Sequence, residues 1–469
     1  MSQPLTILEA SAAIRDGSLT SSELIESCFA QIDKLESRVH AWVRVDQEAA
    51  RREARCLDDA AARGHFSGPM HGIPVGVKDI VDVAGVATEA GSPLRAGRIA
   101  TADAPVVAAL RDAGAIILGK TVTTELASFD PPPTRNPWNL DRTPGGSSSG
   151  SAVAVALGMC LGAIGSQTGG SITRPASYCG VAGLKPTFGR VSREGVVPVS
   201  EHLDHVGPIA CRVADLALMF DVLKSTSPGG TAEDKSGATA GLPSSADGVD
   251  DVTSALLDKP AVAHADVYKH PLSLGVFESF FLETADAAIR ETTLNVIEQL
   301  RNAGATVSVV SLPGSFDELH AMHWRIMAVG AAAVHGEDLA AHRERFGPNI
   351  AGLLDEGLAT SPADYQAALA HQRRFTEQLD ARLADVDAVL TPSTDTTAPD
   401  RSTTGSPKFN APFSYAGVPT VSIPCGLCPD GLPASLQLVG RSGRDESLLA
   451  AAAWCEQSLG FNQLPPLIR

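Results

Sequence analysis

At 469 residues, with 44% hydrophobic and 19% charged side chains, the chain has a globular composition and the length for one large domain or two to three ordinary ones. Its 54 acidic residues against 37 basic ones leave a net charge of −17, which argues against general affinity for phosphate backbones and predicts no nucleic-acid partner. No apolar run reaches membrane-spanning length and the opening Met1-Ser-Gln-Pro-Leu-Thr6 has no signal-peptide pattern, so a cytoplasmic chain with no membrane partner is expected.

Residues 6–64 read as helical. Leu5, Leu8, Ala12 and Ile14 recur at roughly helical spacing until Gly17, Thr20-Ser-Ser-Glu23 caps a second helix through Glu36, and 46–62 is a charged third. The exposed faces of this N-terminal layer, residues 1–66, could carry a homodimer contact. Across 67–223 the texture changes: short apolar runs (Val75-Gly-Val77, 115–118, 160–164) alternate with helices such as 104–113, and the small apolar stretch 152–163 is long enough for one helix. Residues 224–262 are poor in large apolar groups and read as a surface excursion. In 263–469 there follow a strand at 272–277, an amphipathic helix at 284–303, an alternating strand at 306–310, helices from 316 to 383, and buried strands at 387–392 and 420–424. The predicted fold class is α/β: a single domain over 1–469 with a central mixed, mostly parallel sheet covered by helices on both faces. The eight cysteines are scattered as reduced thiols would be, and Cys425-Gly-Leu-Cys428 lacks the second pair that a zinc site wants.

Three segments carry the chemistry. Gly72-Ile-Pro-Val-Gly-Val-Lys-Asp79 sets one lysine in an apolar run, while Thr143-Pro-Gly-Gly-Ser-Ser-Ser-Gly-Ser151 and Gly165-Ser-Gln-Thr-Gly-Gly-Ser171 bring glycines and serines. Glycines let N–H groups crowd around a reacting oxygen, and a lysine desolvated among Val75, Val77 and Ile80 can be neutral enough to take a proton. Amide hydrolysis needs a nucleophile that loses a proton, donors for the oxyanion, and an acid for the leaving amine. Ser171 fits the first need. The amides of Thr168, Gly169 and Gly170, next to a helix that could begin at Thr173, fit the second. Lys78 is then the base, reached through the Ser147 hydroxyl, which can donate and accept at once. Singly, each element is ordinary: a Gly-Ser run makes turns or phosphate loops, and a lone lysine snorkels. A phosphate loop would want a lysine after Gly150, where none stands. His205 is not required as a base.

These segments resemble the amidase signature family. Gly145-Gly-Ser-Ser-Ser-Gly-Ser151 and Gly169-Gly-Ser171 are similar to its two signature loops, and Gly72-Ile-Pro-Val-Gly-Val-Lys-Asp79 to its lysine segment; Lys78, Ser147 and Ser171 stand 69 and 24 residues apart, again as in the family. Cys179-Gly-Val-Ala-Gly-Leu-Lys-Pro-Thr187, Leu203-Asp-His-Val-Gly-Pro208 and Gly431-Leu-Pro-Ala-Ser-Leu-Gln-Leu-Val-Gly440 extend the likeness over residues 6–460, weakest at 224–350. The resemblance implies a Ser-cisSer-Lys triad: Ser171 as nucleophile, Ser147 as the bridging serine at a cis peptide, Lys78 as base. It also implies an oxyanion hole from Thr168, Gly169 and Gly170, no metal or organic cofactor, and a small-molecule amide cleaved through a serine acyl-enzyme. Many members carry Asp and Arg where this chain has Gln167 and Thr173, and here the arginine is displaced to Arg174. That version resembles members acting on small, often carboxylate-bearing amides. Gln167 and Arg174 are thus substrate-binding candidates, Arg174 either clamping a carboxylate or pairing with a buried acid such as Asp204. Ser148, Ser149 and Ser151 read as loop and cap serines, and the proline-stiff Phe129-Asp-Pro-Pro-Pro-Thr-Arg-Asn-Pro-Trp138 as the pocket mouth. The alternatives are an amidotransferase A subunit delivering ammonia to charged tRNA, a carbamate- or ester-preferring hydrolase, and a binding protein that keeps the fold.

Overall fold

The computed structural model describes residues 4–226 and 271–468. Strands β1 (Trp42–Val45), β2 (Pro74–Lys78), β3 (Ile116–Thr121), β4 (Gly162–Gln167), β5 (Ala182–Lys185) and β6 (His205–Ala210) precede residues 227–270. Strands β7 (Ser273–Val276), β8 (Thr306–Val309), β9 (Ala388–Pro392), β10 (Thr420–Leu427) and β11 (Pro433–Val439) follow them. All join one sheet in the order β1-β3-β2-β4-β6-β5-β10-β11-β9-β7-β8. The predicted excursion, from residue 227 onward, lies outside the described residues.

The sheet is mixed, as expected, but not mostly parallel. Parallel pairing is confined to β3–β2–β4 and β9–β7–β8. The whole centre, β4–β6–β5–β10–β11–β9, is antiparallel. The physical reason for the wrong expectation is burial: every residue of β2, β4, β6, β9 and β11 is buried. A strand covered on both faces is a continuous apolar run in either direction of pairing.

Thr6 with Glu9 and Thr20 with Glu23 form reciprocal capping boxes on the helices Ile7–Asp16 and Ser21–Val39. The all-helical reading of 6–64 missed β1, a four-residue edge strand too short to show a period. Both Glu36 oxygens accept the Ala41 and Trp42 N–H groups, turning the chain out of the helix into β1. Likewise the stretch 152–163 is not one helix. The helix Ser149–Ala156 stops, Gly158 takes φ 65°, and the chain runs on into β4.

Helices Leu319–His342, Pro348–Ala359 and Pro362–Arg382 form an outer layer. Glu125 and Asp130 fasten it to the core by accepting the Gly347, Asn349 and Ile350 N–H groups at 2.8, 3.2 and 3.0 Å, which caps the middle helix. The Phe129 and Trp324 rings pack beside this joint, their centroids 5.4 Å apart and their planes tilted by 33°. Among the described residues, no helix is long and apolar enough to cross a membrane.

Candidate active site

Lys78 closes β2, which is hydrogen-bonded on both sides to β3 and β4 and therefore cannot shift. Its side chain is fully buried, 0% exposed. The Nζ atom lies 2.6 Å from Ser147 Oγ and 2.8 Å from Ser166 Oγ. Burial holds its pKa well below the ordinary lysine range, with a smaller opposing pull from the charge of Asp204. The carboxylate beside it in sequence, Asp79, offers no relief. It is committed to Lys120 at 3.0 Å in a fully buried ion pair. Among the described residues, Lys78 thus has hydroxyl partners and no contacting counterion, the environment that favours a neutral amine.

The Gly146–Ser147 peptide is cis. Around it the loop is bolted down by its other serines: Ser149 Oγ donates to the Gly145 carbonyl at 2.8 Å, Ser151 Oγ to that of Ile164 at 3.0 Å, and Ser148 Oγ to that of Ser166 at 3.2 Å. Gly145 takes φ 80°, and a Cβ there would stand 2.9 Å from the Pro175 Cα. The two signature loops are joined directly, the Ser148 N–H donating to the Ser171 carbonyl at 3.2 Å. Ser171 itself is 9% exposed, and among the described residues its hydroxyl has no protein partner. The N–H groups of Gly169, Gly170 and Ser171 likewise donate to no protein acceptor among the described residues. A Cβ at Gly170 would stand 2.6 Å from Asn410 Oδ1, so Asn410 or the turn would have to move to take a side chain there.

Gln167 and Arg174 have protein partners of their own. The Gln167 side-chain oxygen accepts the Ile172 and Thr173 N–H groups at 2.8 and 2.9 Å and the Thr173 hydroxyl at 3.1 Å, while its nitrogen donates to Ser414 Oγ at 3.0 Å. It ties down the turn after Ser171 from a fully buried position. Arg174, 1% exposed, donates to the carbonyls of Gly405 and Gly146 at 2.8 and 2.7 Å. Its fork therefore holds the cis peptide from behind, and it makes no ion pair with Asp204. That acid instead accepts the Thr168 hydroxyl at 2.6 Å and the Val199 and Ser200 N–H groups at 2.8 and 3.0 Å. His205 Nδ1 faces the Leu203 and Gln167 carbonyls at 2.6 and 3.3 Å, a backbone brace.

Sequence reasoning left three contacts unseen. Ser166 stands inside the second glycine-serine segment, but nothing there marks it as a partner of Lys78. His323 Nε2, from the helix Leu319–His342, donates to the Thr168 carbonyl at 3.0 Å, and Ser414 Oγ to the Gly169 carbonyl at 2.8 Å. No local signal marks either residue, because both arrive from more than 150 positions downstream.

The profile of the family described as Amidase matches residues 23–449. The A subunit of the glutamyl-tRNA(Gln) amidotransferase of Chloroflexus aggregans (strain MD-66 / DSM 9485) is 34% identical, covering 95% of this chain and 94% of its own length. A crystal structure of an amidase superposes with a TM-score of 0.83 at 32% identity, over 97% of this chain and 100% of the other. The native peptide amidase from Stenotrophomonas maltophilia does so with a TM-score of 0.81 at 31% identity, over 99% of each. With a family match over residues 23–449 and an 11-stranded sheet of the same fold, the chain belongs to the amidase signature family of enzymes acting on carbon–nitrogen bonds.

Proposed function

We propose that the chain is an amidohydrolase that cleaves the C–N bond of a small linear amide through an acyl-enzyme on Ser171. Ser171 Oγ attacks the carbonyl carbon, and its proton passes through Ser147 Oγ to Lys78 Nζ. The oxygen of the tetrahedral intermediate gathers charge against the amides of the Thr168–Gly170 turn. Collapse expels the amine, which takes the proton back along the same path, and water repeats the sequence to free the acid. Arg174 and Gln167 act here as supports of the two loops. The observation that carries this reading is the buried Lys78, without a contacting carboxylate, at 2.6 Å from Ser147. Ser171→Ala should fold normally and lose amide cleavage by ~10⁴-fold or more. A folded Ser171→Ala protein that keeps its activity would end the mechanism.

The second reading is an amidotransferase A subunit, supported by the 34% identity to such a protein over 95% of the chain. There the same chemistry would release ammonia for a charged tRNA, and the expectation of no nucleic-acid partner would fall. Initial rates decide between them. Steady hydrolysis of aliphatic or aryl amides by the purified chain supports the hydrolase. Glutamine cleavage that appears only with a co-purifying partner and tRNA supports the amidotransferase.

A further inference from the structure

The turn that would carry the oxyanion is held from behind at every peptide. In a trans peptide the C=O of one residue and the N–H of the next point in opposite directions. The Thr168 carbonyl accepts from His323 Nε2 at 3.0 Å, so the Gly169 N–H is turned away from His323. The Gly169 carbonyl accepts from Ser414 Oγ at 2.8 Å, so the Gly170 N–H is turned away from Ser414. The Gly170 carbonyl accepts the Arg174 N–H at 2.9 Å, in the first turn of the helix, which fixes the Ser171 N–H in the same way. Only the last of these braces is local. Gly169 and Gly170 have no side chains to restrict them, so without external partners their peptide planes would rotate.

We infer that His323, with Ser414 beside it, is a positioning residue for the oxyanion site: the two side chains hold the Thr168 and Gly169 carbonyls so that the following amides face the reacting oxygen. This rests on reading Ser171 as the nucleophile. A carbonyl oxygen as partner requires the proton to sit on Nε2. Burial pushes the His323 pKa down to about 4, so the ring is neutral at physiological pH. The ring is 4% exposed and lies edge-on to Tyr415 at 6.1 Å between centroids; its hydrogen bond to the Thr168 carbonyl opposes the downward shift, and neighbouring His320 adds to it. Neither side chain touches the reacting atoms in this role. Their effect is on the direction of N–H groups, which matters in the transition state and little in substrate binding.

The test is the second-order rate at which a fluorophosphonate labels Ser171, because the phosphoryl oxygen gathers charge in the same site whatever the natural substrate is. His323→Leu should label ~10- to 100-fold more slowly than wild type, and His323→Gln, whose amide nitrogen can reach the place of Nε2, should recover to within ~5-fold. Ser414→Ala, which removes the neighbouring brace, should slow labelling by ~10-fold. On any amide that the wild type cleaves, kcat should fall by the same factors with KM within ~2-fold. A folded His323→Leu protein that labels at the wild-type rate, or a His323→Gln protein no faster than the leucine variant, overturns the inference. Should the leucine variant not fold, Ser414→Ala at the wild-type rate overturns it equally. Wild-type protein that takes no label on Ser171 instead brings down the nucleophile reading, and this inference with it.

Discussion

Around β2 and β4 the polar side chains Lys78, Ser147, Ser151 and Ser166 are buried and bonded to other protein groups, and every residue of both strands is buried. The outer helices are built differently. Pro362–Arg382, for example, fully buries only Ala368, His371, Phe375 and Leu379 along its length and leaves the rest half-buried or exposed. Yet both regions meet at the turn 168–171, the first supplying the proposed reacting groups and the second a single brace, His323. The contrast separates two jobs. Chemistry that depends on a lysine kept neutral has to sit where water and counterions are excluded. Orientation of one peptide of the turn needs only one donor in the right place, so a helix of the outer layer, Leu319–His342, can deliver it through His323.

The largest effect that tests this division is at Lys78. Lys78→Met should cut activity by ~10³-fold or more while stabilising the fold at neutral pH, because it removes a buried amine. The sign follows from burial: the folded-state pKa is depressed, so between that value and the ordinary lysine pKa the unfolded chain binds more protons and stability rises with pH. The methionine variant should lose that part of the slope in denaturant titrations at several pH values; an unchanged slope would mean that Lys78 is not depressed.

Gly170→Ala comes next. Its Cβ would stand 2.6 Å from Asn410 Oδ1, so the turn or Asn410 must move, which should lower kcat by ~10-fold or more and cost ~1–3 kcal/mol in melting experiments. Arg174→Met strips donors from the Gly146 and Gly405 carbonyls, each worth about 1–3 kcal/mol when left buried and unpaired. It should therefore reduce stability and kcat on neutral amides. A defect confined to KM for carboxylated amides would return Arg174 to a substrate clamp. The smallest effect belongs to the outer layer's surface. Arg343→Ala breaks the exposed pair with Asp355 and should leave melting temperature and kcat where they were. A loss of activity there would show the outer helices to be more tightly coupled to the turn than one brace allows.

The segments of the proposed site were legible because they have an unusual composition for such short stretches, and Lys78 and Ser147, expected together, lie 2.6 Å apart. A lysine inside Gly72–Asp79 and two clusters of glycine and serine serve few purposes besides acyl transfer when they occur together and in that order. The antiparallel centre of the sheet was not legible, since doubly buried strands such as β9 and β11 carry no alternation that records direction. Arg174 was visible as a charge in a motif, but its carbonyl partner Gly405 lies 231 positions away. His323 was invisible for the same reason: a buried histidine on a helix has many ordinary uses, and only the fold reveals which carbonyl it meets.

The most direct measurement is kcat/KM against pH for wild type and Lys78→Ala on one simple linear amide. The account predicts a wild-type acid limb well below the ordinary lysine pKa of about 10.4, with activity in the alanine variant lower by ~10³-fold or more and that limb gone. An alanine variant that keeps wild-type rates, or the same acid limb, would contradict Lys78 as the base.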